Sequence, residues 1–530
     1  MATLMVDSRN GVVGPAALMI LARLVNMAVG LVSIPILIHY LGGTGFAAWA
    51  IFLALGAGFS LLEIGGATVV RFLVLPAAKC DWMEVRSLLG SVWLLLALNF
   101  GIVLGILIWI ADPIAAWLRL PHTAIFTASE CICVVFIATA LRAFLQCGTQ
   151  TLYAEQKFLQ IAAISLAQPL LSNIAAILTA WKYGRLDVTI LSYWIAQVFV
   201  VGFVFYRYRH HCMPRLSYEA IRLSRLWKIW SYYSKTQIHQ CAQFVNFQVD
   251  KFIISGLVGV WAVAPYEVAN RSVFALRSVA ASGEQVSLPM AVKNSTSAED
   301  AWKWYAESTR FAAYGMCVFM LAPLAISPVF LYAWAGEMGY VGSGAFVALI
   351  IGAMANMLAL PAATLIQTVG LPGLPARMAV FSILLNIPIS LLLVTRWGLT
   401  GAAVGTALVM IASAGLLLHL VHRHFGRPLK VTLRILANFW PLLLVCGILG
   451  GITYLLFNGW FAMLEPGIRF ARENRIYPGI LAVTLYVFCL MTMFGIELFR
   501  GSFTSSEYGF LMRLKKYCSL DLSFLRNEKR

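Results

Sequence analysis

Charged residues are scarce in this chain. Only 12% of its 530 residues are Asp, Glu, Lys or Arg, and 61% are hydrophobic, whereas an ordinary soluble domain is about 25% charged and about 45–50% apolar. A water-soluble fold could not bury that much apolar surface. Apolar stretches of about 20 residues, the length that crosses a bilayer as a helix, recur from Val12 to Phe499. The composition therefore predicts a polytopic membrane protein.

Several motifs are missing as well. The sequence contains no GxxxxGK[ST] phosphate-binding loop, which excludes an ATP-driven transporter in a single chain. Its ten cysteines show no CxxC spacing, so we interpret them as apolar packing residues. The apolar runs are continuous and do not alternate, which excludes a transmembrane barrel.

Apolar runs separated by charged or Gly/Pro-containing breaks predict an all-α fold with about fourteen transmembrane helices. The predicted spans are 12–39, 45–72, 88–112, 124–148, 159–181, 188–206, 229–260, 263–292, 309–333, 343–369, 373–395, 399–422, 434–457 and 477–499. We group them into a six-helix bundle (1–211), a basic linker (212–228), a second six-helix bundle (229–425), two extra helices (426–499) and a basic tail (500–530).

A weak internal repeat supports this division. RLDVT at 185–189 opens a span, and RWGLT at 396–400 opens another about 211 residues later. At a similar offset, LGGTGFAA at 41–48 corresponds to LVGVWAVA at 257–264. Repeats of this kind occur in secondary transporters, whose substrate sites lie between the two halves.

Basic residues are concentrated on one side of the predicted topology. The even-numbered connections and the tail hold most of the Lys and Arg, for example Arg207, Arg209, Arg222 and Arg225. The positive-inside rule then places both termini in the cytoplasm of a multi-pass inner-membrane protein. The net charge of +17 is explained by anionic membrane lipids as partners, without nucleic acid.

Ionisable residues inside the predicted spans are costly, so they normally face a bundle interior or a water-filled path. The candidate cavity residues are Arg23, Glu63, Arg71, Arg142, His239, Gln243, Asn246, Asp250, Arg271 and Arg277. Arg23 has no acidic residue in its own span, so we predict that it contacts a ligand. Some of the other cations, including Arg71, Arg142 and Lys251, could instead lie near span ends and reach the interface.

Helix 7 carries a polar stripe. Thr236, His239, Gln243, Asn246 and Asp250 follow each other at spacings of three or four, which places them on one helical face. Two interpretations remain open: the stripe lines a hydrated path, or it forms hydrogen bonds between helices.

Helix 8 holds two potential ion pairs. Glu267 and Arg271 are four residues apart with the acid first, the favourable order for a helical pair, and Arg277 and Glu284 are seven apart. Cations outnumber acids in the N-terminal spans and in helices 7 and 8 together. This bias favours a substrate with phosphate groups, because Arg forms paired, charge-assisted hydrogen bonds with phosphate oxygens.

Three segments carry a resemblance to a known family: IPILIHYLGGTGFAAWAIF at 34–52, LLEIGGATVVRF at 61–72 and QVDKFIISGLVGVWAVAPYEVANR at 248–271. They resemble the first, second and seventh-to-eighth helices of the Wzx-like polysaccharide flippases in the multidrug/oligosaccharidyl-lipid/polysaccharide (MOP) superfamily. The resemblance implies two six-helix bundles around a central cationic cavity. It places Arg23, Arg71, Asp250 and Arg271 on the helices that line this cavity.

The function that the resemblance implies is translocation of an undecaprenyl-diphosphate-linked oligosaccharide, or export of polysaccharide repeat units, by alternating access without enzymatic chemistry. No cofactor is expected, and the coupling ion, Na⁺ or H⁺, is left open. Glycan polymerisation and assembly proteins are further expected partners. The alternatives are a multidrug or cation-coupled exporter of the same superfamily, a membrane enzyme of lipid-linked glycan assembly, and a scaffold for envelope-assembly enzymes.

Overall fold

The computed structural model describes residues 13–121, 125–215, 218–294, 298–368, 373–463 and 476–499. Within these ranges the ordered elements are all helical, as the sequence predicts. The helices are α1 (Val13–Phe59), α2 (Gly66–Ala78), α3 (Trp82–Trp117), α4 (Ala128–Leu145), α5 (Cys147–Ala154), α6 (Phe158–Tyr183), α7 (Leu186–Cys212), α8 (Tyr218–Ile221), α9 (Leu223–Phe244), α10 (Asp250–Leu257), α11 (Val263–Asn294), α12 (Ala298–Met316), α13 (Ala322–Ala325), α14 (Ser327–Ala335), α15 (Glu337–Val341), α16 (Ser343–Thr368), α17 (Gly373–His424), α18 (Lys430–Ala437), α19 (Trp440–Met463) and α20 (Ile476–Phe499).

Two helices are too long to cross a membrane once. Helix α1 has 47 residues and α17 has 52, which correspond to about 70 Å or more at 1.5 Å per residue, whereas the hydrocarbon core is about 30 Å thick. Each is bent at one non-helical glycine, Gly42 (φ 72°) and Gly398 (φ 56°). Only glycine adopts such a backbone without strain. Helix α17 therefore supplies two of the predicted spans, and α1 supplies the first span and the start of the second, which continues through α2.

Nine helices in the described ranges are long and apolar enough to cross a membrane. The membrane-protein class and the helical fold are thus confirmed. The predicted count of fourteen spans stays a prediction. Two shorter apolar helices, Thr68–Ala78 in α2 and Pro478–Met493 in α20, fall below the spanning length within the described ranges. The division into bundles also stays a prediction, and the tail 500–530 lies outside the described residues.

Three further interruptions shape the central helices. The chain unwinds after a 3₁₀ turn at Ser60–Leu62, because Glu63 is extended, and becomes helical again at Gly66. A π-helical turn at Val245–Val249 separates α9 from α10, and a second one spans Cys317–Leu321. Single π turns within α-helices are rare and are frequent at functional sites.

The linker between the two predicted bundles is fastened to the start of α3. Arg215 N donates to Arg86 O (2.9 Å), and Ser91 Oγ donates to Ala220 O (2.9 Å). Arg225, at the start of α9, pairs with Glu84 at 2.9 Å. The first turn of α9 is thus bonded to α3, a helix of the first predicted bundle.

Candidate functional site

A small cavity lies where α11 meets α1, α6 and α7. Its volume is about 40 Å³, and its polar lining consists of Ser33, Asn173, Tyr193, Glu267 and Arg271. A space of this size admits a few water molecules at most. The described residues thus form a small polar centre to which both predicted bundles contribute.

The two predicted bundles contact each other on both sides of this centre. On the side predicted to be external, Trp334 Nε1 donates to Leu31 O (3.2 Å). On the opposite side, Tyr233 OH and Gln237 Nε2 both donate to Leu61 O, each at 2.6 Å. The acceptor Leu61 lies in the 3₁₀ turn that precedes the break in the second span.

Helices α10 and α11 bring a set of charged side chains together next to the cavity. The Glu267 carboxylate is shared by two cations: Lys251 Nζ lies 2.7 Å from Oε2, and Arg271 Nε lies 2.7 Å from Oε1. Lys251 and Glu267 are almost fully buried, whereas 38% of the Arg271 side chain is exposed. The predicted helical pair of Glu267 with Arg271 is therefore present. The exposed part of Arg271 belongs to a residue that lines the cavity.

Lys251 differs from one interpretation of the sequence. The sequence left open that this lysine, near a span end, extends its amine to the interface, but its side chain is 2% exposed. Besides Glu267, its amine contacts Gln248 Oε1 at 2.7 Å. Burial of a charge in hydrocarbon is tolerated only with such partners.

Asp250 is fully buried and is held by three hydroxyl groups from two other helices. Its carboxylate accepts from Tyr266 OH (2.6 Å), Ser390 Oγ (3.0 Å) and Thr406 Oγ1 (2.5 Å). Asn386 donates to Thr406 at 3.3 Å, and its own Oδ1 has no hydrogen-bond partner. Asp250 therefore joins α10 to α11 and to both parts of α17.

Two more candidates form a second ion pair. Arg142 on α4 contacts Glu63, which lies in the break between the 3₁₀ turn and α2. Both side chains are mostly buried. The break thus places a carboxylate where a cation from another helix of the same predicted bundle can neutralise it.

The other cations lie apart from these pairs. Arg71 is exposed and stacks on the Tyr232 ring, 4.3 Å from its centroid. Arg277 lies 5.5 Å from the Phe247 ring, and its Nε is buried without a hydrogen-bond partner. The side chains of Arg23, His239 and Glu284 lie outside the described residues. The predicted contact of Arg23 with a ligand therefore stays a prediction.

The residues of the polar stripe predicted for the seventh span lie on α9, the π turn and α10, and their environments differ. Thr236 contacts Thr68 at 3.2 Å, Gln243 is exposed, and Asp250 is fully buried. The spacing argument assumes 3.6 residues per turn, but the π turn at Val245–Val249 changes the helical phase before Asp250. The spacing that would place all five residues on one face therefore does not hold across this turn.

Cysteine substitutions at positions 243 and 250, on α9 and α10, test this difference in exposure. In a cysteine-free background we expect a membrane-impermeant maleimide to label position 243 readily and position 250 hardly at all, because burial at Asp250 excludes the reagent. Labelling is quantified by a gel shift after reaction of intact and detergent-opened vesicles. Equal labelling at both positions would contradict the buried environment of Asp250.

Sequence reasoning missed the residues that complete these clusters. Ser390 and Thr406 are small hydroxyl residues within apolar runs, and Tyr266 is an ordinary packing residue by sequence. No spacing rule connects them with Asp250, which lies 140 and 156 residues from the first two. Asp250 itself, an acid inside an apolar span without a partner at helical spacing, was the one sign in the sequence that such a cluster exists.

Comparison with known proteins agrees with the fold. Residues 83–338 match the family model described as polysaccharide biosynthesis protein. The inward closed conformation of the lipid II flippase MurJ is similar over 91% of this chain and 100% of that protein, with a TM-score of 0.65 and 15% identity. No curated protein sequence matches the chain.

Multidrug transporters of the MATE family are also similar. The inward-facing conformation of a MATE transporter of the MOP superfamily gives a TM-score of 0.52 with 14% identity, over 78% of this chain and 98% of that one. The outward-facing conformation gives 0.51 with 14% identity, over 78% and 96%. At these identities the likeness concerns the fold. The chain is therefore a multi-pass membrane protein with the fold of the MOP superfamily, and its segment 83–338 carries the sequence pattern of the polysaccharide biosynthesis proteins, as the resemblance of its helices implies.

Proposed function

We propose that the protein translocates a lipid-diphosphate-linked oligosaccharide across the bacterial inner membrane. The family model and the flippase-like fold support a transporter of glycan precursors. The observation that carries the proposal is Arg271, a cation between the predicted bundles that exposes part of its guanidinium to the central cavity.

Arginine suits this substrate for a chemical reason. Its planar guanidinium forms two parallel hydrogen bonds with phosphate oxygens, and it stays charged at any physiological pH. Arg277, six residues along α11, offers an Nε without a hydrogen-bond partner. Arg71, exposed on Tyr232, is a third cation on the helices that the resemblance assigns to the cavity.

The contacts between the predicted bundles define what transport requires. A cavity of about 40 Å³ is far smaller than an oligosaccharide, so the contacts at Leu61 and those at Leu31 must open in turn. The glycan and the diphosphate cross in the widened cavity while the lipid chain stays in the bilayer. No covalent bond changes, so the proposed cycle needs no catalytic residue; its coupling ion, Na⁺ or H⁺, is a separate question.

The test is a translocation assay with Arg271→Ala in proteoliposomes. With a fluorescent undecaprenyl-diphosphate oligosaccharide, we expect the rate of flipping to fall by about tenfold or more, because one charge-assisted contact to phosphate contributes roughly 1.5–3 kcal/mol. Flipping is followed by quenching of the label with an impermeant reductant. The same assay tests Arg23→Ala, for which the sequence predicts a similar loss.

Arg396→Ala is the matched control, because Arg396 is exposed near the bend at Gly398. Its flipping rate should equal that of the wild type. Full flipping by Arg271→Ala at normal membrane abundance would overturn the cationic site.

A multidrug exporter is the second candidate function, and the MATE-like fold favours it. An exporter of cationic drugs would bind its substrates with acids, whereas Glu267 is already shared by two cations and Asp250 is enclosed by hydroxyl groups. Efflux of a cationic dye from cells, with no flipping of the lipid-linked glycan, would support this alternative.

A further inference from the structure

Glu267 divides one carboxylate between a buried cation and a cation at the cavity. Lys251 contacts Oε2 and Arg271 contacts Oε1, both at 2.7 Å. The exposed fractions of these two cations are 2% and 38%. Because Glu267 is shared, it neutralises Arg271 only in part, and Arg271 is the one of the two cations that lines the cavity.

Lys251 is itself divided between acceptors. Its amine contacts Gln248 Oε1 at 2.7 Å as well as Glu267. The next residue in the chain toward the N-terminus, Asp250, accepts from Tyr266, which directly precedes Glu267 on α11. Two adjacent residues of α10 are thus bonded to two adjacent residues of α11.

We propose that Lys251 and Glu267 are positioning residues that determine how available Arg271 is to a diphosphate. The stronger the ion pair between Lys251 and Glu267, the weaker the hold of Glu267 on Arg271, because the two cations share the negative charge of one carboxylate. Glu267 thereby occupies Arg271 in the empty protein, and the diphosphate of the substrate displaces it. This inference rests on the proposed function.

Gln248 links the network to the conformation of the segment that joins α9 to α10. This residue lies in the π turn at Val245–Val249, between α9 and α10. A change in that turn alters the distance from Gln248 to Lys251. The Lys251 amine then moves closer to one of its two acceptors, Gln248 or Glu267. The strength of the Glu267–Arg271 pair then depends on the conformation of the α9–α10 segment. This dependence couples the affinity for the substrate to the conformational state of the transporter.

The experiment measures binding of geranyl diphosphate, a short isoprenyl diphosphate, to the purified full-length protein by calorimetry. Inorganic pyrophosphate serves as a second probe that carries the charge without the isoprenyl chain, and weaker binding of this probe identifies the lipid-linked diphosphate as the ligand. We expect Glu267→Gln to tighten binding about tenfold, since release of a charged hydrogen bond at Arg271 is worth roughly a factor of ten or more.

Lys251→Met should weaken binding in the wild-type background, because Glu267 then holds Arg271 alone. In the Glu267→Gln background, the same substitution should have little further effect. Non-additivity of this kind shows that the two residues act through one interaction. Equal effects of Lys251→Met in both backgrounds would show a simple change of local charge and would overturn the proposal.

Gln248→Leu tests the network without changing any charge, and it remains informative if Glu267→Gln does not accumulate in the membrane. Removal of this acceptor turns Lys251 toward Glu267 and should tighten binding about two- to threefold, as expected for one modest hydrogen bond. Gln240→Leu, an exposed glutamine on α9, is the matched control. An unchanged affinity in Gln248→Leu would contradict the positioning role of Lys251.

Failure of this inference differs from failure of the proposed function. If the wild type binds geranyl diphosphate and flips the lipid-linked glycan while the substitutions act additively, only the network is wrong. If the wild type binds neither probe, the diphosphate site itself is wrong, and the network with it.

Discussion

Asp250→Ala should abolish translocation and lower stability. The substitution leaves the hydroxyl groups of Tyr266, Ser390 and Thr406 without their shared acceptor, and it removes the negative charge beside buried Lys251. Loss of one partner from a buried charged network costs about 3–5 kcal/mol. The expected result is a melting temperature several degrees below that of the wild type, measured by a thiol-reactive dye that detects the buried cysteines on unfolding.

Two substitutions separate charge from packing. Asp250→Asn keeps an acceptor oxygen and the side-chain size, so it should recover part of the stability; if it still does not flip the lipid-linked glycan, the negative charge itself is needed for transport. Asp112→Ala, at an exposed position near the end of α3, is the matched control and should behave like the wild type. A stable, active Asp250→Ala protein would refute a central role for this carboxylate.

Gly90→Ala is expected to be strongly disruptive for a change that adds a single methyl group. A Cβ at Gly90 would lie 2.3 Å from the backbone oxygen of Arg215, which forces the linker away from α3. The bonds of Arg215 to Arg86 and of Ser91 to Ala220 would be strained or lost. Overpacking of this kind costs roughly 1–3 kcal/mol or more, so both the melting temperature and the amount of folded protein should fall.

Gly101 provides a precise comparison on the same helix. A Cβ at Gly101 would meet nothing within 4 Å, so Gly101→Ala should be neutral, or stabilising by up to about 1 kcal/mol through helix propensity. Both variants are analysed by fluorescence-detected size exclusion and by thermal unfolding. Equal stability of the two proteins would show that the linker does not pack against Gly90 in the membrane.

The predictability of the fold follows from its physics. Hydrocarbon imposes long apolar runs and complete backbone hydrogen bonding, so the helices could be read from hydropathy alone. Even the bends at Gly42 and Gly398 lie in breaks between predicted spans. The π turn at Val245–Val249 could not be predicted, because its sequence VNFQV is ordinary for a helix and the turn depends on packing.

The candidate site was predictable only where its partners are close in sequence. Glu267 and Arg271 are one helical turn apart, and their pair was expected from spacing. The pair of Glu63 with Arg142 spans 79 residues, and the acceptor role of Asp250 involves helices far along the chain. Such contacts are set by how the helices pack together, which single spans do not encode.

The one-residue bends at Gly42 and Gly398 also bear on how the chain enters the membrane. Two helices joined at a single residue have no loop that could cross the bilayer separately, and their backbone groups are satisfied only once both segments are helical. We therefore expect the two parts of α1, and likewise those of α17, to enter the bilayer as helix pairs. At both places the unit of membrane insertion would then be a helix pair and not a single span.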